Sequence, residues 1–173
     1  SSGALITLST FGASGAGNGQ FAYPFGIATD AAGNIYVTDQ NNNRVQKFDS
    51  DGIYIATIGS VGSGNGQFSN PRGVAIDADG NIYITDAGNY RVQKFDSDGN
   101  HVSSFGTQGT GNGQFSSPFG IAVDEIGNMY VSDANNNTVQ KFSTNGSYIG
   151  RLYYTDFNTP RGVAMDAAGN IYV

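Results

Sequence analysis

The chain repeats itself. Pro24, Pro71, Pro118 and Pro160 each open a copy of one pattern, and successive copies begin 47, 47 and 42 residues apart. The copies from Pro24 and from Pro71 agree at 29 of 47 positions. Segments this alike must fold alike, so one repeating unit has to account for nearly the whole chain. Each copy holds four short apolar or alternating runs between turn residues, the pattern of strands. In the first copy these are residues 26–30, 34–39, 44–48 and 54–60. The first two runs are joined by Ala-Ala-Gly-Asn and its variants, and the last two by Ser-Asp-Gly or Thr-Asn-Gly. Glycine at that point supplies the positive φ of a tight hairpin. No stretch keeps a 3.6-residue apolar period long enough for a helix.

A four-stranded antiparallel unit recurring every 42 to 47 residues predicts an all-β chain of β-propeller blades. Side-chain size follows the taper of a wedge. The run expected innermost is small-rich in every copy (Gly26 and Ala28, Gly73 and Ala75, Gly120 and Ala122, Gly162 and Ala164). Tyr36, Phe48, Tyr83, Phe95, Tyr130 and Phe142 fall on later runs, where a blade broadens.

The motifs P-x-G-[IV]-A-x-D, G-N-[IM]-Y-[VI]-[TS]-D, N-x-[RT]-V-Q-K-F and G-x-G-N-G-Q-F recur in that order. With them the chain resembles the NHL-repeat β-propeller family over residues 6–173. Trp is absent, which disfavours the WD-repeat alternative. The reading divides one segment into a blade end (6–20), three full blades (24–70, 71–117, 118–159) and a partial blade (160–173). Members of the family usually have six blades, so the resemblance implies an incomplete ring in this chain. Open blade edges would then invite a homo-oligomer or further blades.

Composition removes several functions. There is no Cys, so no disulfide, thiolate metal site or cysteine nucleophile. His101 is the single histidine and is expected exposed on an outermost strand. Eight Lys and Arg stand against 14 acids, a net charge of −6 that argues against nucleic acid as a partner, although some animal relatives bind RNA by resemblance. No apolar run approaches the roughly 18 residues of a membrane helix, so no membrane insertion is expected. Abundant Gly, Asn and Ser with little Lys suggest a secreted or cell-surface prokaryotic protein.

Connectivity sends the long Gly-rich links and the Asn-rich links to one face and the tight turns to the other. The turn face collects Asp30, Asp77, Asp124, Asp166 and their neighbours. On the loop face, Phe25, Arg72, Phe119 and Arg161 follow the four prolines at the channel mouth and vary where the motif otherwise does not. They are the candidate ligand-binding residues, for a protein, peptide or glycan. Asp39, Asn42 and Arg44, with Asp86, Asn89 and Arg91, recur as a set, and Asp133 and Asn136 follow with Thr138 in place of Arg. Recurrence marks these as structural polar residues, with Asp and Asn capping the loop backbone and Arg bridging blades. Asp-x-Asp-Gly resembles the opening of a calcium loop, but the twelfth-position Glu is missing, so no cofactor beyond weak surface Ca²⁺ is expected. No catalytic residue or metal site emerges. The expected role is a non-catalytic binding or scaffolding module. The alternatives are part of a hydrolase or lyase whose catalytic blades lie elsewhere, and a structural subunit assembling through blade flanks.

Overall fold

The computed structural model describes residues 10–152 and 157–173; residues 6–9 of the expected blade end and 153–156 of the third blade lie outside them. Three four-stranded antiparallel sheets follow one another, each in simple sequence order. The first comprises β1 (Pro24–Thr29), β2 (Ile35–Asp39), β3 (Arg44–Phe48) and β4 (Tyr54–Ile58). The second comprises β5 (Pro71–Ile76), β6 (Ile82–Asp86), β7 (Arg91–Phe95) and β8 (His101–Phe105). The third comprises β9 (Pro118–Val123), β10 (Met129–Asp133), β11 (Thr138–Phe142) and β12 (Tyr148–Leu152). A hairpin of β13 (Ala164–Met165) and β14 (Ile171–Tyr172) starts a further sheet. These are propeller blades, set side by side in an open arc.

Two features were not read from the pattern. Each Gly-rich link contains a short parallel ladder, Ser60–Val61 with Gln67–Phe68 and its counterparts, so the link is a closed loop and not a slack one. The loop after the second strand turns as a single 3₁₀ turn at Gln40–Asn42 and Ala87–Asn89.

The core lies between blades. Tyr36, Val45 and Ile58 of the first blade pack with Val74, Ile82, Ile84 and Phe95 of the second, and Phe68 of the link fills the gap. Ala75, Tyr83 and Val92 meet Ile121, Met129, Val131 and Phe142 in the same way, with Phe115 in the equivalent place. Each fully buried Phe, Ile or Val contributes about 1.5–3 kcal/mol, so the flanks hold the arc together.

At the inner margin a bulge sets the geometry. Pro24 pairs with Asp39 and Ile27 with Val37, which leaves Phe25 and Gly26 opposite Thr38 alone. Gly26 N–H, freed from the ladder, donates to Thr38 Oγ1 at 2.6 Å. The Thr38 hydroxyl then donates to the Arg72 carbonyl of the next blade at 2.6 Å. Thr85 repeats this with Gly73 N–H and the Phe119 carbonyl, both at 2.7 Å. Ser132 does so with Gly120 N–H (2.8 Å) and the Arg161 carbonyl (2.5 Å).

Such close approach leaves no room for a side chain. A Cβ on Gly73 would meet the Phe119 carbonyl oxygen at 2.6 Å, whereas one on Gly162 would meet nothing within 4 Å. Gly73→Ala is therefore expected to cost about 1–3 kcal/mol through strain between blades, while Gly162→Ala stays within about 0.5 kcal/mol of wild type. Urea denaturation of the two variants checks this; equal costs would show that inner-strand packing does not limit stability.

Candidate functional site

The recurrent polar set is used up inside the fold. Asp39 is fully buried. Its carboxylate accepts from Ala22 N–H at 2.7 Å, Asn42 Nδ2 at 2.8 Å and Arg44 Nε at 2.9 Å. Arg44 Nη2 in turn donates to the Gly17 and Gln20 carbonyls, and Asn42 Nδ2 to the Gly15 carbonyl. The Arg thus ties the Gly-rich link that ends the preceding unit to its own blade. The second blade repeats the arrangement with Asp86, Asn89 and Arg91, the Arg91–Asp86 pair lying at 2.8 Å.

Sequence reasoning missed one member of this clasp. Gln46, Gln93 and Gln140 are fully buried. Each side chain accepts from the glycine N–H of the link and donates back to a link carbonyl, Gln46 with Gly19 and Gln20 at 2.9 and 2.7 Å. The signal was present: the invariant Gln of V-Q-K-F occupies an inward position where an apolar residue would otherwise sit.

The third blade departs and compensates. Thr138 replaces the Arg, and its buried hydroxyl has no partner among the described residues. Asp133 instead accepts from both Ser116 and Ser117 N–H at 2.8 Å, besides Asn136. Arg151, on the outermost strand, reaches the same link at the Thr110 carbonyl.

The residues after the prolines converge. Phe25 and Phe119 meet edge to face with centroids 4.9 Å apart. The guanidinium of Arg72 lies 4.5 Å from the Phe119 ring centroid and that of Arg161 lies 5.2 Å from it. Arg72 Nη1 donates to Ser117 Oγ at 2.8 Å. Burial, and then the charge of Arg161, push the Arg72 guanidinium down from its usual range. Among the described residues neither arginine has a carboxylate within ion-pair distance. Phe119 is buried, Phe25 and Arg161 are exposed, and Phe25, Phe119 and Arg161 border a recess of about 310 Å³ floored by Gly26, Gly73 and Gly120.

The bulge explains the convergence. It rotates the residue before each inner glycine out of the ladder, and the hydroxyl of the preceding blade pins that residue's carbonyl for Arg72, Phe119 and Arg161. Thr38, Thr85 and Ser132 are therefore positioning residues for the mouth.

The opposite face is acidic but internally bonded. Asp77 accepts from Asp79 N–H, Asn81 N–H, Asn81 Nδ2 and Tyr83 OH, all within 3.0 Å, and Asp30 and Asp166 do likewise within their own turns. Lys47, Lys94 and Lys141 lie over Tyr36, Tyr83 and Tyr130 at 5.0, 5.2 and 4.9 Å. Among the described residues no three His, Cys, Asp or Glu gather closely enough to hold a metal ion. His101 lies on β8, edge-on to Phe95 and 2.8 Å from Ser104 Oγ.

Removing the clasp carboxylate from the second blade should be the costlier change. Asp86→Ala leaves the mostly buried Arg91 unpaired and is expected to cost about 3–5 kcal/mol. Asp133→Ala strands only neutral donors and should cost about 1–3 kcal/mol. Equal losses in urea denaturation would mean that the ion pair adds nothing to the clasp.

Stability should also bend at both ends of the pH scale. Burial raises the Asp30 carboxyl, but bonds from Asn34, Tyr36 and Ala32 outweigh it and hold the group below its usual value. The Asn100 and Asn170 amides hold Asp96 and Asp166 low as well. Depressed carboxyls stabilise above the unfolded value and lose that contribution as pH falls through the folded one, so the melting temperature should drop below about pH 4. Burial, then the bond to Asp77, pushes the Tyr83 hydroxyl well up from 10.0. Its contribution is complete below about pH 10 and is lost as pH rises through the folded value. A melting temperature unchanged from pH 3 to 11 would contradict both assignments.

Comparison with known proteins agrees with this geometry. Residues 21–48 and 68–95 match the NHL repeat model. Protein lin-41 of Caenorhabditis elegans is 49% identical over 47 residues, covering 27% of this chain and 4% of that protein. Virginiamycin B lyase from Staphylococcus aureus with quinupristin is similar in structure, with a TM-score of 0.67 at 19% identity, over 86% of this chain and 47% of that one. A nidogen/laminin complex gives a TM-score of 0.66 at 22% identity, over 84% of this chain and 53% of that one. The chain thus spans a small part of lin-41 and about half of each of these two structures. Identities this low convey the fold alone: residues 21–48 and 68–95 carry the NHL repeat, and the chain has the β-propeller fold.

Proposed function

We propose that the chain is a non-catalytic binding module that presents its loop-face mouth to a protein, peptide or glycan. The supporting observation is a contrast within one repeat. The recurrent polar residues spend their hydrogen bonds inside the clasp, whereas Phe25, Phe119 and Arg161 border one recess and Arg72 joins them over the Phe119 ring. Buried side chains that satisfy one another are framework; an exposed aromatic beside two cations that have no carboxylate partner among the described residues suits recognition. The nidogen/laminin structure, a complex between proteins, is in keeping with a protein partner. The lyase of similar fold lends no residue to this chain, because the likeness at 19% identity reaches the fold only.

The reading is tested by amide chemical-shift mapping of the labelled protein with a library of hexapeptides and oligosaccharides. Perturbations are expected at Phe25, Arg72, Phe119 and Arg161. They should vanish in the double variant Arg72→Ala/Arg161→Ala, with the melting temperature unchanged. Perturbations confined to the turn face around Asp30, Asp77 and Asp124, or a double variant that fails to fold, would overturn it.

A further inference from the structure

The cations of this chain can be accounted for one by one. There are eight Lys and Arg. The three Lys lie over tyrosine rings. Arg44 and Arg91 are paired with fully buried aspartates. Arg151 is bonded to the link at Thr110. Arg72 and Arg161 differ from these in sharing one ring: both lie against Phe119, with no carboxylate within ion-pair distance among the described residues.

Two guanidiniums at one ring repel each other, and nothing among the described residues offsets that charge. Their positions are nonetheless fixed. Phe119 packs under both, Ser117 holds one Nη of Arg72, and the main chains of Arg72 and Arg161 are pinned by Thr38 and Ser132. Held cations lose little entropy on meeting an anion, and the guanidinium fork matches a planar carboxylate with two parallel bonds. Burial and the Arg161 charge both disfavour the charged form of Arg72, a cost that an incoming anion removes. The adjoining recess offers the exposed Phe25 edge and glycine backbone, a surface for an apolar or ring-shaped neighbour of the acid.

We propose that the ligand at this mouth is recognised through a carboxylate, gripped between Arg72 and Arg161 over Phe119. This rests on the binding-module reading above. A nucleic-acid backbone fits poorly, since a phosphate polymer draws affinity from many released counterions, and among the described residues only Arg72 and Arg161 converge at this mouth. An acidic peptide and a uronic-acid glycan share the required group.

Calorimetric titration of the full chain decides between them. The probes are tetraglutamate against tetraglutamine, and tetragalacturonate against its methyl ester, with chemical-shift mapping of each. One acid, at least, should bind about tenfold more tightly than its neutral counterpart, and that arm identifies the source. Arg161→Gln, at an exposed position, should reduce the acid to the level of the neutral probe, and Arg72→Gln should do the same if it folds. Equal binding of acid and neutral probes at the mouth would overturn the carboxylate and leave the binding module standing. Failure of every probe to perturb the mouth would overturn both.

Discussion

The structure depends on how closely neighbouring innermost strands approach. Glycine at positions 26, 73 and 120 lets the backbone of one blade touch the carbonyl of the next, and a hydroxyl spans the contact. That one contact does three things. It brings the flanks near enough to bury Tyr36, Ile84 and Phe95, or Tyr83, Val131 and Phe142, in single clusters. It satisfies a glycine N–H that the bulge has withdrawn from its ladder, which would otherwise be a buried orphan. It also fixes the residue between proline and glycine at the mouth. Packing, polar satisfaction and site geometry are one arrangement repeated.

The clasp of Asp, Asn, Arg and Gln works at the outer side of the same loop face. A link rich in glycine has much backbone entropy to lose, and its carbonyls and N–H groups need partners. Buried side chains from the following strands supply them at fixed points, and the link closes into its small parallel ladder. Where blade three lacks the arginine, Asp133 takes a second backbone donor and Arg151 reaches in from outside. The contact is kept although its chemistry changes.

Much of this was legible in the sequence because repetition amplifies weak signals. One copy of G-N-I-Y-V-T-D reads as a strand of uncertain place; three copies at fixed spacing specify a blade, and small residues at Gly26 and Ala28 mark its inner edge. The convergence of Phe25, Arg72, Phe119 and Arg161 was foreshadowed by their shared position in the motif. What stayed hidden depended on contacts between copies. No single repeat shows that Thr38 serves Arg72, 34 residues on, or that Gln46 belongs to the link 26 residues earlier. The expected strand from residue 26 begins instead at Pro24, since the bulge lets proline pair at the strand's first position, where its missing N–H costs nothing.

The edges of the arc obey the same rules as its interior. Val74 and Ile121 are each 6% exposed beneath the preceding blade, whereas Ile27, their counterpart, is 67% exposed, and Pro24 is exposed where Pro71 and Pro118 are buried. The Phe25 carbonyl occupies the place at which Arg72, Phe119 and Arg161 each receive a hydroxyl. Between the described blades that acceptor is met by the Thr or Ser before the aspartate of the preceding blade's second strand, namely Thr38, Thr85 and Ser132. Burial at Val74 and Ile121 therefore comes from the neighbouring blade and not from the strand that carries them, which is why one sequence motif has such different exposure at different places in the arc.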